Sequence, residues 1–211
     1  MSALTAALPR AETVTWAALG DSFTAGSQRD ELTWATLAAR SLSGPARRLE
    51  LVCFAEIGAT CGQLIDRQLD AAIATDPDLV SLICGANDVI GSVRPRIDAI
   101  ASTLDGLWFG LRSALGRRPM LTSTYPALGP RNLGPRSRSR IAAGLRELNV
   151  SIRAIAGRHG IACIELEDHP GSGVPANFAA DGLHPSPLGQ LVTASTIAPV
   201  IEPMIREEID R

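Results

Sequence analysis

Short apolar runs of strand length alternate along this chain with longer amphipathic stretches of helix spacing. That alternation restricts the fold more than any other feature. Val14 to Leu19, Leu49 to Phe54, Asp78 to Cys84, Arg118 to Thr124 and Ile161 to Leu166 read as five strands. Between them, Glu31 to Leu42, Gly62 to Ala74, Arg96 to Leu115 and Arg138 to His159 read as helices, and Pro187 to about Arg206 as a last one. In the second helix Leu64, Ile65, Gln68, Leu69 and Ala72 share one side. The third has possible breaks at Gly106 or Gly110, and Gly160 stops the fourth. Strands alternating with helices predict an α/β fold, an open parallel sheet with helices on both faces. Ligands of such sheets bind beyond the carboxyl ends of the strands.

At 211 residues the chain is expected to form a single domain over 1–211, with residues 1–12 a flexible N-terminus. A net charge of -2 argues against a nucleic-acid or membrane-surface partner. All 20 basic residues are Arg, which excludes Schiff-base and P-loop Lys chemistry. The opening "MSALTAALPRAETVTW" lacks a basic start followed by a long apolar run, and no stretch is expected to reach a membrane span. The expected location is therefore cytoplasmic. The four cysteines (Cys53, Cys61, Cys84, Cys163) show no CxxC pair and no His at zinc spacing, so they are expected to be small core residues, with no metal.

Four polar clusters fall after strands or in the final loop: "GDS", "EIGATCG", "GAND" and "DGLHP". A parallel sheet gathers strand ends at one edge, so residues distant in sequence meet there. A serine hydrolase needs a nucleophile, a base in reach of it, a carboxylate orienting the base, and donors aimed at an oxyanion. Ser22, His184 and Asp181 can supply the first three. The backbone N–H groups of Ser22 and Gly58 and the side chain of Asn87 can supply the donors.

The chain resembles the SGNH hydrolase superfamily, the GDSL-type esterases and lipases. "GDSFTAG" matches the first block with Ser22, "IGAT" the second with Gly58, "GAND" the third with Asn87, and "DGLHP" the last with Asp181 and His184. One departure is Cys53 and Ala55, where relatives often carry Asn and Gly. The resemblance implies a flavodoxin-like three-layer sandwich with strand order 2-1-3-4-5. It also implies a serine esterase acting on a small-molecule ester without a cofactor. No Gly-x-Ser-x-Gly elbow occurs, so an α/β-hydrolase nucleophile turn is not expected. An acyltransferase or thioesterase would use the same residues, and a non-catalytic binding module would use the same fold. A nucleotide-binding sheet would want a Gly-rich turn that "GDSFTAG" does not provide.

Asp21 and Asp88 are expected to make structural hydrogen bonds in the rim loops. His159 is expected to sit at a helix end, and His169 to border the pocket at most. Trp34, Trp108 and Phe109 are expected to pack. The irregular insertion Tyr125 to Ser137 follows the fourth strand, and its arginines continue through Arg138 and Arg140. Arg131 and Arg136 in particular could form a partial lid meeting an anionic group, against the plainer reading of a solvated loop.

Overall fold

A computed structural model describes residues 11–27 and 31–209. Its centre is a five-stranded sheet in the order β2-β1-β3-β4-β5, every neighbouring pair parallel. The strands are β1 (Glu12–Gly20), β2 (Arg47–Cys53), β3 (Leu79–Ile83), β4 (Met120–Ser123) and β5 (Ala162–Ile164). This is the flavodoxin-like order expected from the motif blocks. Every residue of β3 and β4 is buried, as inner parallel strands covered on both faces require.

The helices are α1 (Ser22–Ala25), α2 (Trp34–Leu42), α3 (Cys61–Leu64), α4 (Asp70–Ala74), α5 (Ala86–Ile90), α6 (Ile97–Leu115), α7 (Pro135–His159) and α8 (Pro187–Ile209). A π-helical segment, Ile65–Leu69, joins α3 to α4, so the predicted helix over 62–74 carries an extra residue in one turn. α6 runs unbroken through Gly106 and Gly110. α2 begins at Trp34 because Thr33 stands at its N-cap and accepts from Thr36 N–H. α7 begins three residues before its expected start, with Pro135 at a first position that needs no amide donor. The flexible N-terminus expected over 1–12 lies outside the described residues up to position 10, and Glu12 already pairs in β1.

α2 and α8 pack together in one layer, α6 and α7 in the other. The core between holds Trp16, Trp34 and Trp108, as well as Leu19, Leu82, Leu107 and Leu121. Trp16 donates from its indole to Ser81 Oγ at 3.0 Å, so the buried ring carries no orphan polar atom. Trp34 and Trp108 pack as expected, but Phe109 is 67% exposed, since it lies on the outer face of α6. The cysteines also divide. Cys61 and Cys84 are buried, Cys163 is half-buried, and Cys53 is exposed at the end of the edge strand β2, where no further strand covers it.

α8 departs from expectation. Over Pro187–Arg206 it is long and apolar enough to cross a membrane by length and composition, with a mean hydropathy of 1.2. Thr, Ser, Gln and Pro interrupt its apolar residues, so no continuous run marks it in the sequence. Here one face closes the core: Ala194, Ile197, Ile201 and Ile205 are buried, while Pro199 and Pro203 lie on the exposed face. Ile201→Ala is expected to lower stability by about 2–5 kcal/mol, because the cavity would open inside a packed layer. A urea midpoint unchanged from the parent chain would show that this face of α8 is not packed in solution.

Candidate active site

β1 lies between β2 and β3, so the chain leaves β1 towards one side and returns on the other. The carboxyl ends of β1 and β3 therefore form the switch point of the sheet. Gly20 ends β1 opposite Ile83. Its φ is +145°, and a Cβ there would stand 2.3 Å from the carbonyl oxygen of Ile83, so only glycine allows the strands to meet this closely. Gln68, on the π-helical segment, fixes the same residue from the other side. Its Oε1 accepts from Gly20 N–H at 2.9 Å and its Nε2 donates to Gly20 O at 3.0 Å.

Asp21 caps the short helix that follows, accepting from Phe23 N–H at 2.9 Å. Ser22 is thereby presented at the start of α1, 8% exposed. Its Oγ lies 2.9 Å from His184 Nε2, and His184 Nδ1 lies 2.6 Å from Asp181 Oδ2. The other oxygen of Asp181 accepts from the N–H groups of Leu183 and His184, at 2.9 and 3.1 Å. A carboxylate only accepts, so the imidazole proton sits on Nδ1 and the Nε2 lone pair faces Ser22. Ala179 N–H to His184 O (2.8 Å) and Ser186 N–H to Asn177 O (2.9 Å) close the loop that carries this pair.

Asn87 stands in the first turn of α5, directly beyond β3. One Nδ2 hydrogen goes to Ala59 O at 3.0 Å, which ties Asn87 to the residue after Gly58 and leaves its second hydrogen available. Gly58 has φ +79°, on the exposed tip of its loop. Among the described residues no acceptor takes the N–H of Ser22 or Gly58. Asp88 Oδ2 accepts from Cys61 N–H at 3.0 Å, and the Cys61 and Cys84 sulfurs lie 3.8 Å apart behind the same loop.

Two carboxyls flank Ser22 in opposite environments. Full burial pushes the Asp21 carboxyl up to about 7, against the lowering effects of Phe23 N–H, the His184 charge and the Tyr125 hydroxyl. Partial burial also pulls Asp181 upward, but the His184 imidazole and two backbone N–H donors outweigh it. They hold that carboxyl below its ordinary range.

Ser22, Asn87 and His184 line one cleft with Tyr125, Leu183 and Pro185. The residues nominated as a lid separate. Arg131 reaches the site: its N–H donates to Asp181 O at 2.6 Å, and its side-chain stem lies over Gly182. Arg136 is exposed on the first turn of α7 and lines none of the clefts beside Ser22. Arg140 turns to the carbonyls of Val89 and Ser92. His159 bonds Asp105 at 2.8 Å at the end of α7, and His169 borders an apolar cleft beside the site.

Three side chains support the site in roles the sequence pattern does not announce. Gln68 falls on an apolar helix face, and a polar residue on such a face is the available signal. Asn149 clamps the backbone of Tyr125, accepting from its N–H and donating to its carbonyl, both at 2.8 Å. Tyr125 in turn sets its hydroxyl 3.5 Å from Asp21 Oδ2.

The model of the GDSL-like Lipase/Acylhydrolase family matches residues 18–192, which contain all of these residues. No curated protein matches the sequence significantly. The fold is similar to that of a lipase/acylhydrolase from Enterococcus faecalis, with a TM-score of 0.74 at 21% identity over 90% of this chain and 95% of that one. It is also similar to the acetyl xylan esterase AlAXEase, with a TM-score of 0.73 at 20% identity over 89% and 100% of the two chains. A third similar structure is the psychrotrophic esterase EstA from Pseudoalteromonas sp., inhibited by monoethylphosphonate. Its TM-score is 0.70 at 20% identity over 91% and 98% of the chains.

Two outcomes follow from the clamp and the buried acid. Gln68→Met leaves the Gly20 N–H buried without a partner, while the Gly20 carbonyl keeps the Glu56 N–H at 3.1 Å, and is expected to cost about 1–3 kcal/mol in urea unfolding. The raised Asp21 carboxyl contributes stability that is full below its unfolded value and is lost as pH rises through about 7. Asp21→Asn is therefore expected to gain on the parent chain between pH 4 and 7. Parallel stability-against-pH curves for the two proteins would refute that assignment.

Proposed function

The chain belongs to the GDSL-like Lipase/Acylhydrolase family, and from that premise we propose that it is a serine esterase that hydrolyses a small-molecule ester through an acyl-enzyme. The observation that carries the reading is the unbroken relay of 2.9 Å from Ser22 Oγ to His184 Nε2 and 2.6 Å from His184 Nδ1 to Asp181 Oδ2.

As Ser22 Oγ attacks the ester carbonyl carbon, its proton passes to Nε2. The imidazolium so formed is held by the ionised Asp181. Negative charge moves to the carbonyl oxygen, where the Ser22 and Gly58 N–H groups and the spare Asn87 hydrogen receive it. The bond to the alkoxide then breaks, and His184 gives that oxygen the proton it took. Water enters, loses a proton to Nε2 and attacks the acyl carbon. Ser22 leaves with its proton restored, and the carboxylic acid is released. Every proton and electron pair is carried by the chain, the ester or water, so no metal or organic cofactor enters the scheme.

The largest charge the reaction builds near Ser22 is an oxyanion, and a negative charge on Asp21 would oppose it, an opposition that burial of the Asp21 carboxyl reduces below about pH 7.

Ser22→Ala is expected to lower kcat on a p-nitrophenyl ester by roughly 10⁴-fold or more, and to abolish covalent labelling by a fluorophosphonate. Asp181→Asn, which loses the carboxylate but keeps the shape, is expected to lower kcat by about 10²–10⁴-fold. Folded protein that resists labelling and turns over no ester would mark a binding module on this fold. Transfer to an added alcohol in preference to water would mark an acyltransferase.

A further inference from the structure

The cleft at Ser22 continues away from the nucleophile. Phe23, Ala86, Tyr125, Leu183 and Pro185 wall both it and a second, larger cleft of about 660 Å³ that is partly open to solvent. The larger cleft is chiefly apolar, floored by Leu128, Leu145, Leu166 and Val192. Leu128, Ser172 and Phe178 are shared in turn with a third cleft of about 450 Å³, which lies against Arg131 and Arg138 and has no Asp or Glu in its wall. The three adjoin in series through shared walls, from the nucleophile past an apolar stretch to the residues Arg131 and Arg138.

Like several other arginines of the chain, and unlike six that are paired, those two have no carboxylate partner among the described residues. Arg67, Arg96, Arg118, Arg153, Arg158 and Arg206 each meet a carboxylate at 2.6–3.1 Å. Among the described residues, Arg131 and Arg138 meet none. Arg131 also lies against the loop that carries Asp181 and His184. Its backbone is tied to Asp181 O, and its stem occupies the space over Gly182, where a Cβ would stand 2.3 Å from Arg131 Cγ. The loop on its other side is held too, since a Cβ at Gly129 would stand 2.6 Å from Arg138 Cα. Two positive charges without a carboxylate partner beside a site, in a chain of net charge -2, make a local field that the overall composition does not supply.

We infer that the preferred ester of this site carries an apolar segment ending in an anionic group, a carboxylate or phosphate, which Arg131 and Arg138 receive at the far end of the cleft. The inference rests on the esterase reading above and adds a substrate class to it. A guanidinium pair can bind either oxyanion through paired N–H donors, so the shared chemistry is the anion. The anionic group can belong to the acyl part or to the alcohol part, and both arrangements place it across the apolar cleft from Ser22.

The test compares matched anionic and neutral esters. Mono-p-nitrophenyl glutarate and adipate, against p-nitrophenyl valerate, place the charge on the acyl side. Butyryloxybenzoate, against its methyl ester, places it on the alcohol side. The ratio of kcat/KM for anionic over neutral ester is expected to fall about tenfold in Arg131→Gln and in Arg138→Gln, and further in the double variant. It is also expected to fall with added salt in the parent chain. A drop on either side supports the inference and says which part carries the charge. If Ser22-dependent turnover is intact but the ratio on both sides is indifferent to the substitutions, the inference is overturned and the esterase reading stands. A parent chain that neither labels at Ser22 nor turns over any of the esters removes both.

Discussion

At the switch point β1 meets β3 at Gly20 with no room for a side chain, and the site is built outward from that contact. A side chain there would collide with the Ile83 carbonyl. With glycine in place, Asp21 N–H can still reach Ile83 O at 3.3 Å. The end of β1 is thus pinned to β3 by backbone, and Gln68 pins it from the opposite side. Ser22 and Asn87 follow these two strands within a few residues. Their separation is therefore set by sheet geometry, which is stiff, while loop geometry has little influence on it. Only the His184 loop has to be brought to them, and it arrives ahead of α8. Gln190 in the first turns of that helix accepts from Trp34 N–H at 2.8 Å, joining the loop's exit to α2.

The acidic residues beside Ser22 show how environment separates groups of the same type. Asp21 is adjacent in sequence to the nucleophile, yet it faces the protein interior, with one backbone donor and a long contact to Tyr125. Asp181 is more than a hundred residues away, partly open to water, and accepts from an imidazole and two amides. Desolvation acts on both, but hydrogen bonding offsets it only at Asp181. An ionised partner for His184 and a weakly acidic neighbour for the oxyanion thus come from one residue type.

Much of this was legible in the sequence because it follows from local rules. Continuous apolar runs mark inner parallel strands, and the polar clusters behind them fall at the rim because strands end there. "GDS", "GAND" and "DGLHP" could be placed together before any coordinates. What was not legible depends on which side of an element faces what. Gln68 sits in a helical pattern in which one polar residue looks like a break in the apolar face, and only the tertiary fold aims its amide at Gly20. Cys53 belongs to an apolar run, but β2 is an edge strand, so its end is exposed. Phe109 fits the spacing of α6 and lies on the outer face. The apolar residues of α8 are scattered among polar ones, and their burial becomes apparent only against α2. The arginines after β4 look alike in sequence, yet Arg140 bonds carbonyls in and just after α5 while Arg131 lies across the His184 loop.

That last difference bears on how such a fold acquires a substrate. The strand ends hold the reacting groups, and changing them would undo the chemistry. The surfaces extending from them come largely from the stretch after β4 and the loop before α8, which lie outside the strands and can vary at less cost to the core. Here the two are interlocked, because the space over Gly182 is filled by the stem of Arg131. A side chain at position 182 would displace Arg131 and press on the loop carrying Asp181 and His184. The residue that gives the cleft its charge is therefore mechanically joined to the residues that carry the proton, so a change in the binding wall would also be felt by the proton relay.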